Sequence, residues 1–142
     1  IILKRAKALD DAIEKRDTEE LVSYFSENCE IELIGIKLTG KIGLRKAINW
    51  MFRYFQEIIL TPITIIVDNN IFFEEFTMNG KVRGGKEIQV NQAEVLIYDE
   101  EYRVTSLRLY FDRLELASAY VTNPIEKKMI DFISRASLKG LA

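Results

Sequence analysis

Apolar side chains return every three or four positions from Leu3 through Ala6 and Leu9 or Asp10 to Ile13, with charges between them. That spacing predicts a helix over residues 3–16. Asp17-Thr18-Glu19-Glu20 then has the composition of a helix N-terminus, a short acceptor followed by acids at the positive end of the dipole. It predicts a second helix that buries Leu21, Val22 and Phe25 and ends near Ser26. Over Cys29–Ile36 the period changes to two, with Glu30 and Glu32 alternating against Ile31 and Leu33, so a strand with one wet face is expected. Thr39-Gly40 opens a third helix, on which Leu44, Ile48, Met51 and Phe55 form one stripe and Trp50 and Tyr54 a flanking row. Pro62 lacks an N–H and disfavours helix in the residue before it, so this helix is expected to stop near Leu60.

The rest reads as strands until the C-terminal region. Ile63–Asp68, Ile71–Met78, Glu87–Tyr98 and Tyr102–Asp112 are separated by Asn69-Asn70, Asn79-Gly80 with Gly84-Gly85, and Asp99-Glu100-Glu101. Asn-Gly is a strong two-residue hairpin signal. Four strands joined by short turns predict an antiparallel meander. Asn123-Pro124-Ile125-Glu126 supplies a cap, a proline at the first helical position and an early acid. Ile125, Met129, Phe132, Ile133 and Ala136 give that C-terminal helix, about residues 123–138, an apolar stripe. The order helix, helix, strand, helix, meander predicts an α+β layer arrangement, a curved mixed or antiparallel sheet wrapped around three helices. Such a sheet leaves an apolar mouth at its open end, the natural place for a small ligand.

Composition narrows the chemistry. The 142 residues are read as a single domain, residues 1–142, without repeat or linker. A net charge of −2 provides no basic field for nucleic acid or anionic lipid, and neither is expected as a partner. There is no histidine, which removes the commonest general base and metal ligand and excludes Ser-His and Cys-His nucleophile pairs. Cys29 is alone, fits a reducing interior and is read as a small buried residue. No apolar run approaches the roughly 20 residues of a membrane helix, and no leader pattern is read, so a cytoplasmic location is expected. No phosphate loop, metal cluster or dinucleotide fingerprint is present, so neither a metal nor a cofactor is expected.

The run DTEELVSYFSENCEIEL resembles the second helix and first strand of the nuclear transport factor 2-like superfamily. LTGKIGLRKAI resembles the opening of its third helix, and YRVTSLRLYFDR its last strand. SnoaL-like polyketide cyclases, ketosteroid isomerases and limonene epoxide hydrolases belong to this superfamily. The resemblance covers about residues 5–115. It implies a cone-shaped, cystatin-like α+β fold and a homodimer formed through the outer sheet face. It does not imply one activity, because a fold hosts many.

Carried over residue by residue, most of the family's catalytic groups are missing. In the cyclases and epoxide hydrolases the last strand reads Arg-Asp-x-x-Asp, and the first acid works inside the cone. This chain reads Arg108-Leu109-Tyr110-Phe111-Asp112, so Leu109 takes the catalytic place and Asp112 matches only the second acid. Strand parity agrees, since Leu107, Leu109 and Phe111 share one face and Asp112 the other. Asp112 is therefore read as a structural or rim acid near Arg113. The place of the isomerase base falls on Leu33, and an Arg/Asp pair of the epoxide hydrolases falls on Glu75 and Thr77. The isomerases' second acid, kept protonated to donate to an oxyanion, has its counterpart at Glu94.

Two readings of the acids stay open. In one, neutral Glu94 donates to a carbonyl or enolate oxygen while ionised Glu75 takes a proton. In the plainer and preferred one, both face solvent or a dimer interface and pair with Lys81, Arg83, Lys86 or Arg108. Gln92 shares the face of Glu94, and Trp50, Tyr54, Phe73 and Phe111, with Leu33 and Leu109, are candidate cavity walls. The expected function is binding of a small apolar molecule. Acid–base isomerase, cyclase or hydrolase chemistry and a non-catalytic dimeric interaction module are the alternatives.

Overall fold

The computed structural model describes residues Ile1–Val82 and Gly84–Leu141. Two compact units divide it, Ile1–Phe111 and the segment from Asp112 onward. Arg83, one of the cations named as a possible partner of Glu75 and Glu94, lies outside the described residues.

The first unit begins with α1 (Ile2–Lys15), α2 (Thr18–Ser23), β1 (Phe25–Leu33), β2 (Ile36–Thr39) and α3 (Gly40–Tyr54). The meander follows as β3 (Phe55–Asp68), β4 (Ile71–Val82), β5 (Glu87–Tyr98) and β6 (Val104–Phe111). All six strands form one open sheet in the order β2-β1-β6-β5-β4-β3. Every pairing is antiparallel except β1 with β6, so the sheet is mixed. Its core joins Ala6, Leu9 and Ala12 of α1, Leu21 and Val22 of α2, and Leu44 and Ile48 of α3 to the strand residues Ile31, Phe72, Leu96 and Val104. The α+β arrangement of helices against one face of a curved sheet is therefore as the pattern implied.

Local chemistry explains the helix ends. Asp17 accepts from the Glu20 amide at 3.0 Å and caps α2. Arg16 closes α1 in the left-handed conformation, φ 61°, and its guanidinium donates to the carbonyls of Phe52 and Phe55 at 2.7 and 2.6 Å. One residue thus ends α1 and supplies a cation to the negative end of α3.

Several boundaries differ from expectation. α2 ends at Ser23, and Phe25, expected within that helix, opens β1. The β1–β2 hairpin was not visible in the pattern; it turns at Ile34 and Gly35, with φ 49° and 80°, where glycine meets no steric penalty. α3 ends at Tyr54, and β3 starts at Phe55 rather than at Ile63. The aliphatic run FQEIIL keeps the apolar stripe going while favouring extended backbone. Pro62 sits inside β3, tolerated on a sheet-edge strand beside a register shift between Pro62 and Thr64. Asn79-Gly80 is not a turn but part of β4. A Cβ at Gly80 would lie 3.1 Å from the Glu57 carbonyl oxygen of β3, so the glycine permits close strand approach. The turn falls later, at Gly84 and Gly85, both with positive φ. Beside it Lys81 meets Glu57 at 3.3 Å, an exposed pair.

The second unit holds α4 (Arg113–Tyr120), which the pattern did not reveal, and α5 (Pro124–Ser137). Asn123 caps α5 by accepting from the Ile125 amide at 2.9 Å. Asp112 caps α4, accepting from the amides of Leu114 and Glu115 at 2.9 and 3.3 Å. That contact gives the strand-end acid its structural role.

Candidate functional site

Alternation turns the side chains of Phe72, Glu74, Phe76 and Met78 on β4, and of Val90, Gln92, Glu94 and Leu96 on β5, toward the helices, and all are buried. Between this face and α1 and α3 lies a cavity of about 110 Å³ within the first unit. Its walls are aliphatic and aromatic, including Phe25, Ile48, Trp50 and Phe76. Leu33 and Leu109 are register partners across the parallel β1–β6 pair, and both line it. Three polar side chains join them, Asp10, Gln92 and Glu94.

Glu94 stands opposite Glu74 on one side and Leu109 on the other. Glu94 is 7% exposed and Glu74 2%. Neither they nor Asp10 take a hydrogen bond from any described residue. A buried carboxylate without donors is costly, so each acid is driven toward its neutral form. Burial holds the Glu94 carboxyl well above the usual range, and the nearby acids Asp10 and Glu74 push the same way. Burial likewise raises Glu74. Asp10 is pushed up to about 7, by burial first and then by Glu74, Glu14 and Asp11, with Lys7 opposing. The Gln92 amide nitrogen donates only weakly, to the Met78 sulfur at 3.7 Å.

Five of the expected wall or site residues, Leu33, Trp50, Gln92, Glu94 and Leu109, meet at this cavity. Glu75 does not. It is exposed on the outer face of β4, where its carboxylate accepts from the Thr64 hydroxyl at 3.0 Å. The acid that faces Glu94 across β4 is its neighbour, Glu74. Phe73 also turns outward, level with Ile66 and Val95. Tyr54 ends α3 and packs edge-on to Trp50, ring centres 5.7 Å apart, outside the cavity wall. Phe111 is the last residue of β6, beyond the wall formed by Leu107 and Leu109.

Asp10 and Glu74 were missed. The signal for Asp10 lay in the helical spacing, since Ala6, Asp10 and Ile13 follow the i, i+4, i+7 rule as well as the neighbouring apolar set does. Glu74 becomes legible once Phe72 and Phe76 are taken as inward, because parity then carries Glu74 with them. Cys29 is buried, with its thiol pushed up by burial, and has no role here. Among the described residues no group of three or more acids, cysteines or histidines is placed to hold a metal ion. No described helix is long and apolar enough to cross a membrane.

Residues 6–106 match the family described as SnoaL-like domain. Three solved structures share the fold. A SnoaL-like polyketide cyclase from Shewanella denitrificans is 13% identical, with a TM-score of 0.74 over 84% of this chain and 96% of that one. An NTF2-like protein of unknown function from Burkholderia pseudomallei is 14% identical, with 0.77 over 86% and 98%. A SnoaL-like polyketide cyclase from a Jannaschia species is 12% identical, with 0.77 over 87% and 93%. No curated protein matches the chain.

Proposed function

The chain belongs to the SnoaL-like domain family, and on that footing we propose that its cavity binds a small, largely apolar molecule anchored by a single polar group. The supporting observation is Glu94, a buried carboxyl that faces an apolar cavity and has no hydrogen-bond or ion-pair partner among the described residues. Such a group is expensive unless something joins it. The cavity, about 110 Å³, is of the order of the ~150 Å³ apolar cavity that takes up benzene. A ligand of about one ring suits it better than a drug-sized one, which needs roughly 300 Å³ or more. The test is a native mass spectrum of gently purified protein. The expected result is a small adduct that disappears in Leu109→Trp, which fills the cavity; an adduct that survives Leu109→Trp would contradict the reading.

A second reading is acid–base chemistry on a carbonyl compound, with Asp10 in the place first given to Glu75. Asp10 at about 7 is poised to exchange protons near neutrality. Glu94, held neutral, would donate to the carbonyl oxygen as negative charge builds on it. Deuterium exchange at the α-carbons of cyclohexanone checks this by NMR. Acceleration by the protein, lost in Asp10→Asn, supports it; no acceleration removes it.

We also propose that copies pair through the outer sheet face, where Ile66, 56% exposed, stands level with Phe73 on β4 and Tyr110 on β6 is 52% exposed. A monomer by light scattering at working concentration would overturn that.

A further inference from the structure

Resting on the binding reading above, we propose that the molecule the cavity takes is a small organic amine, its ammonium held between Asp10 and Glu94. The argument is an imbalance of charge and of hydrogen-bonding capacity. Every ionisable side chain lining the cavity among the described residues is an acid. Behind Glu94 stands a further acid, Glu74, its cross-strand neighbour. The free end of Gln92 is its carbonyl oxygen, since the amide nitrogen is turned to the Met78 sulfur. Once ionised, Asp10 and Glu94 add only acceptors, and what the inventory then lacks is a donor carrying positive charge. A neutral ketone or alcohol leaves the acids holding their protons; an ammonium lets a carboxyl ionise against it and offsets the repulsion that keeps the acids neutral.

A metal cation would relieve it too, but the acids are not grouped to hold one. They are spread along an apolar wall, which calls for a cation with a hydrocarbon body. Trp50, Phe25 and Phe76 supply that wall and, over an aromatic face, a further attraction for an organic cation.

The charges acting on this site are few. From α1, Lys7, Asp11 and Glu14 act on Asp10, and Lys7 is already paired with Asp11 at 3.4 Å on the surface. From β4 comes Glu74, and from β5 Glu94 with Tyr98, whose buried hydroxyl lacks a partner among the described residues. Binding an ammonium from neutral solution displaces a carboxyl proton into the solvent, leaving a carboxylate against the cation. Affinity therefore rises from about pH 6 to about pH 8 while the amine stays protonated.

Calorimetry with cyclohexylamine, cyclohexanol and cyclohexanone, one ring with three head groups, tests this on the full chain. The expected result is one saturable site for the amine, at least about tenfold tighter than for either neutral compound, with proton release read from buffers of different ionisation heat. Glu94→Gln and Asp10→Asn, each checked for folding by circular dichroism, should each weaken the amine about tenfold or more, and Glu75→Gln should not. Tighter binding of cyclohexanone or cyclohexanol would overturn the amine and leave the small-molecule cavity standing. Amine binding indifferent to both inward variants would overturn the placement. No binding of any of the three to folded protein would overturn the amine and the one-ring cavity together.

Discussion

Glu74 and Glu75 are adjacent in sequence and live in different worlds. Glu74 lies on the inner face of β4, 2% exposed, opposite Glu94 and without a donor. Glu75 lies on the outer face, in water, with the Thr64 hydroxyl against it. The difference is one step of a period-two chain, and it separates a group with chemical potential from one that is ordinary surface. The inner and outer faces of the meander repeat the contrast. Inside, Phe72, Leu96 and Phe76 are closed off from water; outside, Phe73, Val95 and Tyr110 are partly or largely open.

The largest effect that sharpens this contrast is in packing. Leu96→Ala, on the inner face, should cost about 2–5 kcal/mol in chemical denaturation, because the methyl groups leave a hole among fixed neighbours. Val95→Ala, its outward neighbour, should cost under about 1 kcal/mol. Equal costs would erase the distinction between the faces in the isolated chain.

Next comes the response to pH. A carboxyl whose folded pKa is raised is a protonated group in the native state and an ionised one in the unfolded chain over the window between the two values. Its contribution is therefore harmless below the ordinary carboxylate range and becomes a growing penalty as pH rises toward the folded value. For Asp10 that window runs from 3.8 to about 7. The unliganded protein should lose thermal stability from about pH 4 to about pH 7 through Asp10 and Glu94, and Asp10→Asn and Glu94→Gln should each flatten the decline. A melting-temperature profile indifferent to both substitutions would contradict their burial.

Smaller effects come from groups outside the cavity. Asp112→Ala removes the cap of α4 and should cost about 1 kcal/mol of that helix while leaving cyclohexylamine binding unchanged. A loss of binding would return Asp112 to the site. Smallest is Thr64→Val, which deletes an exposed contact to Glu75 and should change stability by less than about 0.5 kcal/mol.

How much of this was legible depended on how many structural rules met at a residue. Leu33 and Leu109 were placed correctly because alternation, resemblance and the expected register all pointed inward. Glu94 was matched to its family position by counting back from the turn before Tyr102, but the preferred reading turned it outward; parity with Gln92 and Leu96 buries it on the inner face instead. Glu75 is outward, as the preferred reading had it, and only its candidate role as an inward base fails, because of the two adjacent acids parity turns Glu74 inward. Asn79-Gly80 was misread as a turn, and only the close approach of Glu57 on β3 shows why a glycine belongs within the strand. Asp10 was half seen, at a position where Leu9 and Asp10 competed for one place in the helical stripe. Neither β2 nor α4 has an apolar period long enough to register; their ends are set by backbone conformation at Gly35 and by the Asp112 cap.

The central claim is that Glu94 faces an apolar cavity without a partner among the described residues. Carbon-13 NMR of its side-chain carboxyl, assigned by comparison with Glu94→Gln, reads this directly as the unliganded protein is titrated. The account predicts a midpoint well above the ordinary 4.5, moved downward when cyclohexylamine is bound. A midpoint at about 4.5 in the unliganded protein would contradict it.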